Sequence, residues 1–194
     1  MVKVGFLVEG GCERIVLRSP AFSNFLLQHD IEIVGDVIDM DGKGNLTQSS
    51  KRMQSQVQTL RNRGANWIIV LGDLDEAETD EAVSRIKAKV YKAENLSTCL
   101  AVQELEAWFV ADSDTLSTLF NTPFYHDKPE AIVKPSAFLK EQRLIYTGQG
   151  IKDKKGFATA MINNGFSINR AAAHPNCPSA RYFLDKLQTI ASAN

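Results

Sequence analysis

Long apolar runs are missing from this chain. None approaches the roughly 18 residues that a membrane span requires, and the apolar residues 1–8 are too few for a signal-peptide core with a cleavage site. The expectation is a cytoplasmic protein with no membrane partner. Cysteine is also scarce: Cys12, Cys99 and Cys177 are odd in number and widely spaced, which argues against a disulfide framework and predicts free thiols in a reducing compartment. His29, His126 and His174 are scattered, and His174 with Cys177 makes one close pair without a second, too little for a zinc site. Repeats and disordered tracts are absent. What remains is 194 residues with 44% hydrophobic content, enough for one domain with a real core.

Charge is nearly balanced overall, at −1, but unevenly placed. Residues 1–112 hold 17 acidic and 12 basic side chains, whereas residues 113–194 hold 6 and 10. An acidic half that holds cations beside a basic half that meets phosphate suits an enzyme of nucleic acids, although imbalances of this size also arise by chance.

The apolar pattern alternates between strand and helix. Residues 2–8 form a short buried run ended by Gly10-Gly11. A helix is expected over 13–28, kinked or split by Pro20. A second strand over 31–40 precedes Gly42-Lys43-Gly44, and a polar helix over 47–63 carries the stripe Met53, Val57 and Leu60. Residues 67–71 are the clearest strand, followed by a helix over 79–91, a fourth strand over 97–102 and a helix over 104–119. Residues 121–194 contain no convincing strand; helices are expected at 136–143, 155–163 and 179–192. The implied class is α/β: a mostly parallel, Rossmann-like four-stranded sheet flanked by helices in residues 1–120, with a helical and loop extension over 121–194 packed on the same domain.

Ligands of such sheets bind outside the carboxyl ends of the strands, where three acidic signatures fall. The first is Glu9-Gly10-Gly11-Cys12-Glu13, with glycines that admit close backbone approach and two carboxylates able to face one cation. The second, Asp73-Leu74-Asp75, places two carboxylates on one face if the segment stays extended. The third is Glu104-Leu105-Glu106, from which one carboxylate is expected to face the cleft and the other solvent. Carboxylate oxygens are hard ligands suited to Mg²⁺. Taken singly, each has a plainer reading as a helix-dipole partner, a capping turn or a solvated loop residue. Lys43 is placed to touch phosphate, although the P-loop pattern fails around it. Asp36, Asp39 and Asp41 form a rival acidic group without an EF-hand spacing. Lys152, Lys154 and Lys155 are the best candidates for contact with a nucleic-acid backbone, or else a solvated helix start.

These three signatures in this order, with Glu104-Leu105-Glu106-Ala107-Trp108, resemble the Toprim catalytic domain as found in OLD-type nucleases. They most resemble a smaller bacterial Toprim-like family of unknown function. Gly42-Lys43-Gly44 and the closing Ser179-Ala180-Arg181-Tyr182-Phe183 also look like that family. The resemblance spans the chain. It implies a Toprim-like fold in which Asp73 and Asp75 are the central metal-binding pair, Glu9 is a ligand or general base, and Glu13 and Glu106 are further ligands for Mg²⁺ or Mn²⁺. Glu106 is favoured over Glu104 because the resemblance puts the key acid before Ala107-Trp108. The expected function is a metal-dependent nuclease, with catalytic roles for Glu9 and Lys43 and with DNA ahead of RNA as substrate. Because the chain holds no ATPase domain, a separate ATPase in a defence-type pair is the expected partner. Two other classes stay open: a phosphohydrolase of small molecules, and a non-catalytic interaction module.

Overall fold

The structure, a computed structural model, describes residues 1–48 and 51–193. Five strands build one parallel sheet: β1 (Val2–Val8), β2 (Ile31–Ile33), β3 (Ile38–Asp39), β4 (Trp67–Asp73) and β5 (Leu96–Ala101). Their order is β2-β1-β4-β5, and β3 joins β1 on the same side as β2. The sheet therefore has five strands rather than the expected four, because the segment 31–40 is interrupted. At the break Gly35 takes a left-handed backbone (φ 71°), and the Asp36 carboxylate accepts from the Val37 N–H (2.8 Å) and from Arg14 (2.7 Å).

An all-parallel sheet must be covered on both faces. The helices are α1 (Gly11–Leu17), α2 (Pro20–Gln28), α3 (Lys43–Thr47), α4 (Lys51–Asn62), α5 (Asp80–Lys89), α6 (Glu106–Ala111), α7 (Ser113–Phe120), α8 (Pro135–Thr147), α9 (Lys154–Asn163), α10 (Ile168–Ala173) and α11 (Pro178–Ser192), with a 3-10 turn at Pro129–Ala131. Alternation along the strands sorts the core. Val4, Phe6 and Val8 of β1 and Ile69 and Leu71 of β4 join the larger cluster with Phe22, Trp108, Phe157 and Phe183. Leu7, Ile68 and Val70 face Met53, Val57 and Leu60 of α4, while Leu100 packs with Ala82 and Ile86 of α5. Each fully buried side chain of this kind contributes about 1.5–3 kcal/mol. Leu139, Phe157, Met161 and Phe183 belong to the same core as β1, so residues beyond 120 are structurally continuous with the sheet. Among the described residues no helix is long and apolar enough to cross a membrane.

One expected helix divides where Pro20 allowed for it, and two others differ from those observed. Residues 13–28 divide into α1 and α2 because Ser19 caps the second helix, its Oγ accepting from the Phe22 N–H (3.2 Å), with Pro20 in the first turn. The helix expected over 47–63 starts as α3 at Lys43 and ends with α4 at Asn62; positions 49 and 50 of that expectation lie outside the described residues. Residues 104–119 divide at Asp112. Fully buried, Asp112 caps α7 through the Thr115 N–H (3.3 Å) and takes two hydrogen bonds from the Arg170 guanidinium (2.8 and 2.9 Å). Helix α10, six residues long, has no counterpart among the sequence expectations.

The closing segment around Ser179 is a fastener. Ser179 Oγ accepts from Trp108 Nε1 (2.8 Å) and donates to Glu130 (2.5 Å), while Phe183 lies 5.6 Å from the Trp108 ring. Ser179→Ala leaves a buried indole N–H unpaired and is expected to cost about 1–2 kcal/mol, read as a lower urea midpoint with unchanged m-value.

From β1 the chain moves to one side of the sheet, to β2 and β3, and then crosses to β4 on the other side. The switch point lies between the carboxyl ends of β1 and β4. Open α/β sheets leave a crevice there.

Candidate functional site

A cavity of about 230 Å³ opens at that switch point, lined by Glu9, Gly10, Gly11, Cys12, Glu13, Gly42, Asp73, Glu106, Lys154 and Lys155. Three strand ends supply its acids. Glu9 follows β1 and lies across to β4, where its Oε2 accepts from the Asp73 N–H (3.1 Å). Gly72 makes room for this crossing: a Cβ there would sit 3.0 Å from the Glu9 Oε2 and 2.7 Å from Leu46. Asp73 ends β4, and its Oδ1 accepts from the Leu105 N–H (2.8 Å), which ties the loop after β5 to β4. Glu13, in the first turn of α1, accepts from the Gly10 N–H (3.1 Å). It both caps its helix and lines the cavity. Glu106 opens α6 and is buried.

Four carboxylates in a desolvated crevice repel one another. Burial, reinforced by the charges of Glu9 and Glu106, pushes Glu13 up to about 7. Burial, with Glu13, Glu106 and Glu9 adding to it, holds Asp73 well above the usual carboxylate range. Burial also raises Glu9, against the Asp73 N–H and the Lys43 charge, and Glu106, against Lys154. The crevice is short of positive charge. Its four carboxylates offer oxygen donors, the chemistry that a hard divalent cation takes, beside the Cys12 thiol. Among the described residues no group of three or more His, Cys, Asp and Glu side chains is placed so that it could hold a metal ion as it stands.

Basic groups enter from the second half of the chain. Helix α9 packs on α1 and brings Lys154 and Lys155 into the cavity lining. Lys154 Nζ lies 2.8 Å from Glu104 Oε1 and 3.4 Å from Glu106 Oε1. Lys155 crosses the backbone at Gly11, where a Cβ would fall 2.1 Å from its Cε. Lys152 is exposed and does not line the cavity.

Several expected positions move. Asp75 does not stand beside Asp73: β4 stops at Asp73, and Asp75 takes a left-handed backbone (φ 64°), which ends the alternation that would have kept the two on one face. It is exposed and forms an ion pair with Lys43. The Lys43 ammonium also donates to the Leu74 carbonyl (3.2 Å), so its contacts are with the β4 loop rather than the cavity lining. Glu104 is not solvated; it accepts from Lys154 and from the Ser136 N–H (2.8 Å) and stands just outside the lining. Against the cost of burial, these bonds hold its carboxyl below the ordinary range. Neither the Glu104 role nor the placement of Lys154 has a local sequence signal, since both need α9 and α6 to meet. The rival acids are neutralised elsewhere, Asp36 by Arg14 and Arg18 and Asp41 by Arg52. The three cysteines are free and buried, and burial with the nearby Glu106 pushes Cys12 up to about 12, so it is a thiol at neutral pH.

Comparison with curated proteins and with solved structures found no match in either. A family model matches residues 8–188, a span that contains every residue of the cavity. The chain belongs to the family described as Domain of unknown function (DUF4276).

Proposed function

We propose that this chain is a Mg²⁺- or Mn²⁺-dependent nuclease, a phosphodiesterase of Toprim-like type acting on DNA ahead of RNA. The observation that carries the reading is the convergence of Glu9, Glu13, Asp73 and Glu106 on one crevice at the sheet's switch point, with Lys154 and Lys155 in the same lining. The order of the acidic signatures, which resembles that of OLD-type nucleases, points the same way and extends the proposal to a separate ATPase as partner.

Glu9, Glu13, Asp73 and Glu106 are the residues that would hold the metal. A divalent ion bound by them supplies Lewis-acid polarisation of a phosphoryl oxygen and a more acidic bound water. Glu9, whose proton affinity is raised by burial, is suited to take a proton from an attacking water. Lys155 and Lys154 offset the negative charge of the phosphate. The raised proton affinities of Glu13 and Asp73 make the empty crevice costly at neutral pH, and a cation relieves that cost. The small size of the crevice favours a second reading, hydrolysis of a small phosphoester, since about 230 Å³ is below the usual range for sites that enclose a whole drug-sized ligand.

The test is incubation of wild type and Glu9→Ala with supercoiled DNA, linear DNA, RNA and p-nitrophenyl phosphate, each under Mg²⁺, Mn²⁺ or EDTA. Metal-dependent cleavage of polymer that disappears in the variant supports the nuclease; turnover of the small ester alone supports the second reading. Cleavage that persists in Glu9→Ala contradicts both. Gly11→Ala is a finer probe, because the three atoms nearest the new methyl all belong to the end of the Lys155 side chain. Its Tm is expected to stay within a degree or two, while KM for the cleaved substrate rises about fivefold through loss of one phosphate contact.

A further inference from the structure

We infer that Lys154 is an internal counter-ion that a divalent cation displaces from Glu106, so that loading the metal frees a basic side chain for the anionic substrate. The inference rests on the metal-dependent reading above.

Lys154 is shared between two acids of different standing. Glu104, at 2.8 Å, lies outside the cavity lining and is fixed by the Ser136 N–H; Glu106, at 3.4 Å, lines the cavity and has a side chain only 4% exposed. The ammonium can swing away from Glu106, because its side chain is 51% exposed and hangs on the first turn of α9. Of the ion pairs described, the one that reaches a cavity carboxylate is this one. Against it stands the charge of the crevice. Four carboxylates, Glu9, Glu13, Asp73 and Glu106, line the cavity, so a single half-exposed ammonium at its edge leaves them undercompensated.

A divalent ion brings twice the charge in a smaller radius and takes several carboxylate oxygens at once, whereas an ammonium engages Glu106 by one contact. The two cations compete for the same carboxylate. Once released, Lys154 remains beside Lys155, whose chain already crosses Gly11 in the cavity wall. Metal-free protein thus keeps one of its two cavity lysines occupied by its own acids. The expected order of binding is metal first, polyanion second.

Two measurements test this. Calorimetric titration with Mn²⁺ of wild type and Lys154→Met should give a dissociation constant roughly three- to tenfold lower in the variant, the scale of one partly exposed charge contact. On the wild-type protein, labelling with an amine-acylating reagent and mass spectrometry should show Lys154 becoming several-fold more reactive, relative to Lys152, when Mg²⁺ is added. Equal Mn²⁺ affinities with unchanged Lys154 labelling overturn the displacement and leave the metal site standing. If neither protein binds Mn²⁺, displacement and metal reading fall together. Tighter Mn²⁺ binding by Lys154→Met without any nuclease activity supports displacement and overturns the nuclease.

Discussion

Replacing Asp73 by asparagine should reduce metal-dependent cleavage by about three orders of magnitude while leaving the fold intact and making the metal-free protein more stable. The two effects have one cause. Asp73 sits at the end of β4 with its proton affinity raised by burial and by Glu13, Glu106 and Glu9, so its charge is unfavourable until a cation arrives. An amide at this position retains the Oδ1 acceptor for the Leu105 N–H, now at 2.8 Å, and so keeps the tie between β4 and the loop after β5. What it removes is the negative charge. Single-turnover cleavage and thermal melting with and without Mn²⁺ provide the readouts. The variant should melt higher than wild type in EDTA and gain less from Mn²⁺. Cleavage at wild-type rates, or a metal-free Tm that falls, would show that Asp73 is not part of a cation site.

Acidifying the metal-free protein from about pH 8 to about pH 5 should stabilise it by about 2–3 kcal/mol, opposite to the trend of a protein held by salt-bridged carboxylates. Glu13 is raised from 4.5 to about 7, first by burial and then by neighbouring acids. A raised folded pKa means that the native state binds the proton more tightly than the unfolded chain. The stability it brings is complete below 4.5 and is lost as pH climbs through about 7. Asp73 and Glu106, raised in the same direction, reinforce the trend. Urea denaturation across this range measures it. Glu13→Gln should flatten the profile, and saturating Mg²⁺ should flatten it from the alkaline side by stabilising the charged form. A metal-free stability that is level or falls on acidification contradicts the electrostatic account of the crevice.

Much of the architecture was legible in the order of residues because it depends on local pattern. The apolar runs over 2–8, broken by Lys3, and over 67–71 suit central strands of a parallel sheet, and the glycines and acids that follow them fall at its carboxyl edge. Glu9, Glu13 and Asp73 were recognisable on that basis, since each lies at or within a few residues of a strand end or helix start, whereas Glu106 was preferred to Glu104 only through the resemblance to Toprim-like proteins. Asp75 was misplaced because strand alternation was carried two residues too far, past the point where the backbone turns left-handed. The division at Asp112 was hidden for a different reason: its partner Arg170 is 58 residues away, and without that guanidinium a buried aspartate in an apolar helix has no sequence rationale.

The sequence by itself determined the layered α/β class and that acidic segments gather at the carboxyl edge of the sheet, because strand length, period and chain order suffice to place strand ends. Only the tertiary structure decided how the charge of that crevice is managed. Lys154 and Lys155 read in sequence as a solvated basic run; the packing of α9 on α1 turns them into the cavity wall, with Glu104 and Glu106 holding one of them. Charge pairing of this kind joins residues 50 positions apart and follows from which helices touch, a property of the packed core that no local pattern encodes.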